Sequence, residues 1–164
     1  MGTSFVTITD GNTGDEPGFW MRDSILELWL RLLVLHLPEP TDKGCHQSTP
    51  EIRSRWMLAS TGYFSGCVPH DMEFACSTVD GRTAVVTAIQ SLMKSLNKHD
   101  SALDPNMLNL LGNKGVVFNQ PIDRERLRDI GQAFLDLIDG RFVGTARSTD
   151  VMPGSKPYVR QSAT

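Results

Sequence analysis

Between Phe19 and Leu37 the chain offers an apolar residue at nearly every helical position: Trp20, Met21, Ile25, Leu26, Leu28, Trp29, Leu30, Leu32 and Leu33. A helix with one apolar stripe lies on a core, whereas a helix apolar nearly all round is central and wrapped by others. The stretch is not a membrane span. Arg22, Asp23, Glu27 and Arg31 interrupt it, and its longest uncharged run falls far short of the ~20 residues such a span needs. Pro17 is tolerated in a first helical turn, and Asp15 or Glu16 beside it complements the dipole, which predicts a start near residue 17. Pro38 and Pro40 stop the helix.

The partners of this helix follow along the chain. Ser48-Thr49 as cap, Pro50 in the first turn and Glu51 open a second helix, which carries Ile52, Trp56 and Ala59 on one face and has Gly62 as its C-terminal cap. A short helix fits Asp71 to Cys76. A longer one from Asp80 to Lys98 sets Val85, Val86, Ile89, Leu92, Met93 and Leu96 at alternating steps of three and four. Asp104-Pro105 opens a short helix closed by Gly112, and Gly115 to Phe118 reads as extended. The last helix, Asp123 to Asp139, places Leu127, Ile130, Phe134, Leu137 and Ile138 on one face and ends at Gly140.

The fold class expected is therefore mainly α, a single-domain helical bundle around a central apolar helix. Phe5 to Thr9 alternates and allows a short N-terminal strand or hairpin, with Asp10-Gly11 as a turn. The boundaries expected are an N-terminal arm over 1–16, a helical domain over 17–142 and a flexible tail over 143–164, where the pattern lacks any period. A chain of 164 residues with 40% hydrophobic and 21% charged residues suits one soluble domain. The start of the chain has no charged segment leading into an apolar one, so no secretory leader is expected. Three cysteines (Cys45, Cys67 and Cys76) are too few and too odd for a disulfide framework, which points to the cytoplasm.

Few residues are spaced for chemistry. Cys67-Val-Pro-His70 with Cys76, and Cys45-His46 upstream, bring zinc to mind, but the paired spacings of a zinc site are missing. Cys67 or Cys76 with His70, oriented by Asp71, would make a nucleophilic dyad, although side chains so near in sequence point apart. Gly112-Asn-Lys-Gly115 lacks the order of a phosphate-binding loop and precedes an extended piece. Buried free cysteines, a helix cap and a turn account for the same residues.

Charge is more informative once divided. The net charge of −3 argues against a general nucleic-acid binder. Residues 1–46 carry seven acidic against three basic residues, residues 47–141 are nearly balanced, and the rest is basic. The acidic excess gathers in two loops, with Asp10, Asp15 and Glu16 in one and Glu39 and Asp42 in the other. Such a region would speed an encounter with a basic partner. Tyr63 and Phe64, in the turn after the second helix, add aromatic anchors of the kind interfaces use. These seven residues are the candidate partner-binding set, and a solvated surface is the plainer reading of each.

The block Trp56-Met-Leu-Ala-Ser-Thr-Gly-Tyr63-Phe-Ser-Gly-Cys67-Val-Pro-His70, with the helix Gly131-Gln-Ala-Phe-Leu-Asp-Leu-Ile138, resembles small immunity proteins encoded beside bacterial polymorphic toxins. In particular it resembles those paired with type VI secretion nuclease effectors, over roughly residues 17–142. The resemblance implies a non-enzymatic cytoplasmic protein with no cofactor and no metal. It would bind its cognate toxin one to one, often across the toxin's active site, and would not bind nucleic acid or membrane. An acidic face would suit a nuclease by occupying the groove meant for phosphates. Its own state is expected to be monomer or homodimer. The alternative is a small cytoplasmic enzyme or zinc-binding protein using Cys67, His70 and Cys76.

Overall fold

The computed structural model describes residues 2–10, 13–44, 46–62, 64–97, 103–111, 117–149 and 151–155. Among them the chain forms strands β1 (Thr3–Thr7) and β2 (Gly18–Arg22). Six helices follow: α1 (Asp23–His36), α2 (Thr49–Thr61), α3 (Met72–Ala75), α4 (Val79–Asn97), α5 (Pro105–Leu111) and α6 (Arg124–Ile138). The protein is mainly α, with one two-stranded antiparallel sheet. No helix among the described residues is long and apolar enough to cross a membrane.

The central helix begins later than Pro17 predicts. Gly18–Arg22 is a strand, paired with β1 from Thr3 opposite Arg22 to Thr7 opposite Gly18. Read with a period of two, Phe19 and Met21 point into the core while Trp20 is half-buried and Arg22 exposed. The strand predicted over Phe5 to Thr9 forms two residues earlier, and the chain does not divide at residue 17 because the expected arm supplies β1. Val6 is fully buried. The Ser4 hydroxyl donates to Asp23 at 2.7 Å and accepts the Val68 N–H at 2.8 Å, which ties the hairpin to the start of α1 and to the α2–α3 connection.

Helix α1 then takes the central place its composition requires. Leu26, Leu28, Trp29, Leu30, Leu32, Leu33 and Val34 are all buried, against α2, α4, α5 and both strands. Aromatic rings close the far side. Phe134 of α6 lies 5.7 Å from Trp29 and 5.2 Å from Phe19, and Phe142 lies 5.2 Å from Phe19 on its other side, in the tilted or edge-on geometry that aromatic pairs prefer. Gly131 permits the approach of α6: a Cβ there would meet Met93 Sδ at 2.8 Å and the Trp29 ring at 3.4 Å.

Helix ends follow the sequence signals with one substitution of partner. Gly140, at φ +71°, ends α6 as predicted, and Asp123 caps its start by accepting the Glu125 N–H. At α2, neither Ser48 nor Thr49 caps through its side chain. The Asp80 carboxylate, at the start of α4, accepts the backbone N–H of His46 at 2.6 Å and of Ser48 at 3.0 Å instead. Those two bonds hold the Asp80 carboxyl below the ordinary carboxylate range. Gly62 is the C-terminal cap of α2, with its N–H donating to Leu58 O in extended backbone.

The segment expected as a loose tail from residue 143 is attached over its described part. Gly18 N–H donates to Gly144 O at 2.8 Å, the Trp20 indole N–H donates to Ala146 O at 2.7 Å, and Val151 packs on the core. The first satisfies a backbone donor at the start of β2 and the second a half-buried indole, something no local hydrophobic period records. The glycines at 112 and 115 and Gly11 of the predicted turn lie outside the described residues.

Candidate functional site

His70 is the junction of the α2–α3 region, and its bonds are structural. Its Nε2–H donates to Phe5 O of β1 at 2.9 Å, while Nδ1 accepts the Met72 N–H of α3 at 3.1 Å. Its own carbonyl accepts the buried Trp56 indole N–H at 2.8 Å. Both ring nitrogens are thus committed to backbone partners, which leaves neither a lone pair for a metal nor a base for a thiol. Cys76 is buried, and burial pushes its thiol up to about 11, so at neutral pH it is protonated and poorly nucleophilic. Cys67 is exposed. Asp71, the expected orienter of His70, turns to Arg55 at 3.0 Å. No cluster of three or more His, Cys, Asp or Glu among the described residues is placed to hold a metal ion, and Cys45 lies outside them.

The described residues of the predicted partner-binding set lie on three connections of the fold. Asp10, Asp15 and Glu16 lie in the β1–β2 connection, Glu39 and Asp42 in the α1–α2 connection, and Phe64 just past the C-terminal end of α2. Thirteen helical residues, about 20 Å at 1.5 Å per residue, separate the two ends of α2; Phe64 follows its C-terminal end, and Glu39 pairs with Arg53 nearer its N-terminal end. Several of the acids already have internal work. Glu16 accepts the Thr13 N–H at 2.6 Å and the Thr13 hydroxyl at 3.0 Å, which closes the loop and holds its carboxyl below the usual range. Glu39 pairs with Arg53 at 2.8 Å, and Asp15 lies 3.4 Å from Arg147. Asp10 and Asp42 are exposed. Tyr63 lies outside the described residues.

Around Phe64 the structure assembles something the candidate set contained only in part. Met57, Leu58 and Phe64 are 41%, 64% and 42% exposed, three large apolar side chains at one end of one helix. With Ile52, Trp56 and Ala59 facing inward, Met57 and Leu58 fall outside the buried stripe, so the phase of α2 already marks them in the sequence. Gly62 sits beneath the Phe64 ring; a Cβ there would come within 2.7 Å of it. The helix beneath is braced. Arg55 donates to Glu51 at 2.9 Å and to Asp71 at 3.0 Å, and its guanidinium lies 3.8 Å from the centroid of the Phe74 ring. Those two carboxylates, Glu51 first, hold the Arg55 guanidinium charged even more firmly than usual.

The class defined so far is a mainly α domain with a β-hairpin, a backbone-committed histidine and an apolar patch on a braced helix end. No family model, no curated protein and no solved structure matches the chain.

Proposed function

We propose that this chain is a non-enzymatic binding protein that holds a protein partner on the exposed end of α2. In line with its resemblance to immunity proteins, the partner is a cognate bacterial toxin, of the type VI nuclease-effector kind, met in the cytoplasm. The observation that carries the reading is the grouping of Met57, Leu58 and Phe64 on a helix fixed from below by Arg55 and Trp56. Exposed apolar side chains gathered on a rigid element mark interaction sites, and aromatic anchors carry much of the binding energy there. The exposed acids Asp10 and Asp42, on other loops, supply long-range steering, in which charge affects the rate of encounter more than the lifetime of the complex.

The test is co-expression with the product of the gene immediately upstream. Protection of growth by the wild-type chain, lost in a Leu58→Asp/Phe64→Asp double variant that keeps its helical circular dichroism, is the expected result. A wild-type chain that gives no protection overturns the toxin reading. Full protection by the double variant removes the α2 end from the interface.

A further inference from the structure

Helix α1 is not wrapped everywhere. Leu35, near its C-terminal end, is 67% exposed, and across from it on α5 Leu110 is 83% exposed. Between α1, α4 and α5 lies a cleft of about 590 Å³, within the ~300–1,000 Å³ range typical of small-ligand sites. Its walls include Leu32, Leu92, Leu96, Leu103 and Leu111, of which Leu32, Leu92 and Leu96 are deeply set. Leu35, Met107 and Leu110 form the exposed rim above them, which gives an alkyl chain apolar surface to cover.

The polar groups of the cleft are few and of one sign. Arg124 lines it, with Nη1 donating to Leu96 O at 3.3 Å and Nε buried without an acceptor. His36 also lines it, bonded through Nδ1 to the Ser91 hydroxyl at 2.9 Å, and burial lowers its tendency to carry charge. None of the described lining residues is acidic, so Arg124 is the one fixed charge among them. The guanidinium gives the cleft its positive end, and a carboxylate that meets it gains a charge-assisted hydrogen bond.

We propose that this cleft binds a single-chain alkyl carboxylate, its chain against the leucines of α1, α4 and α5 and its carboxylate at Arg124. The site is separate from the α2 end, and it stands or falls independently of the toxin reading.

The probe is a series of octanoate, decanoate and dodecanoate titrated calorimetrically into the full chain below their micellar concentrations, with dodecyltrimethylammonium as the cationic control. Affinity is expected to rise about fourfold per added methylene while the chain remains in the cleft. Arg124→Gln is expected to weaken dodecanoate about tenfold and to leave the cationic control unchanged. Ser95→Phe adds a ring at the cleft wall without removing core atoms, and is expected to abolish binding while circular dichroism stays that of the wild type. Equal affinity for the anionic and cationic amphiphiles overturns the proposal. So does dodecanoate binding that Arg124→Gln and Ser95→Phe both leave intact, or an absence of binding by any member of the series. Leu58→Asp/Phe64→Asp is expected to bind dodecanoate like the wild type, which keeps this outcome apart from that of the toxin test.

Discussion

Replacing His70 by alanine separates a structural histidine from a chemical one. The ring joins β1 to α3 through Phe5 O at 2.9 Å and the Met72 N–H at 3.1 Å, and the second of these bonds is buried. Truncation leaves two backbone groups without their partner. A buried polar group so orphaned costs about 1–3 kcal/mol, and the part-buried Phe5 carbonyl recovers some of that from water. The expected loss is about 2–4 kcal/mol. For a chain of this size that lowers the melting temperature by roughly 5–15 °C, or the urea midpoint by about 1–2 M. The assay is equilibrium urea unfolding followed by tryptophan fluorescence, with Cys67→Ala as control. Cys67 is exposed, and its truncation is expected to stay within about 0.5 kcal/mol of the wild type. A His70→Ala protein as stable as the wild type would falsify the junction role and return His70 to the candidates for metal or base chemistry.

Three further outcomes rest on contacts of Cys76, Asp80 and Gly81. Because burial raises the Cys76 thiol to about 11 from 9.0, the folded state keeps its proton while the unfolded chain loses it. Stability is therefore expected to fall as pH rises from about 9 to about 11, by at most about 2–3 kcal/mol, with Cys76→Ala showing a shallower slope in alkaline denaturant titrations. Asp80 has the opposite sign: its carboxyl lies below the ordinary value, so its contribution is present above about pH 4 and is lost as pH falls further. Asp80→Asn is expected to be less stable at neutral pH and to show a flatter acid limb; an unchanged acid profile would refute the cross-element cap. Gly81→Ala would set a Cβ 2.3 Å from Ala75 O, a backbone atom with no rotamer to yield. A loss of about 1–3 kcal/mol in thermal melts is expected, and a melt identical to the wild type would show that α3 and α4 are not so closely joined.

What the sequence disclosed depended on whether the deciding contact was local. Helices α4 and α6 announce themselves because each carries an apolar face for three turns or more with polar residues opposite, and their cores are buried as the spacing requires. Phe19-Trp20-Met21 carries no such signal. Three consecutive apolar residues fit a helix or a strand equally well, and the choice is made by Ser4 and Val6 on one side and by Gly144 and Ala146 on the other. The cap of α2 is hidden for the same reason, since Asp80 lies more than thirty residues from the backbone groups it satisfies. Of the candidate site, Phe64 was visible through its aromatic neighbours, and Met57 and Leu58 follow from the phase of α2. What a charge count along the chain does not disclose is the partners of those acids: Glu39 pairs with Arg53, and Glu16 closes its own loop through Thr13.

The central helix also explains where this protein has surface to offer. Its first turns are sealed by Phe134 of α6 against Trp29, and by the adjoining β2, whose Phe19 is itself covered by Phe134 and Phe142 from the far end of the chain. At its last turns Arg53 of α2 reaches the Leu37 carbonyl on one side, while on the cleft side lie α4 and the seven-residue α5, a helix too short to cover the apolar surface there. Leu35 and Leu110 remain exposed because α1 carries more apolar surface than its neighbours span. Natural soluble chains seldom keep such surface without a use, since it promotes association. A helix apolar all round thus fixes the core at one end and leaves the apolar cleft at the other.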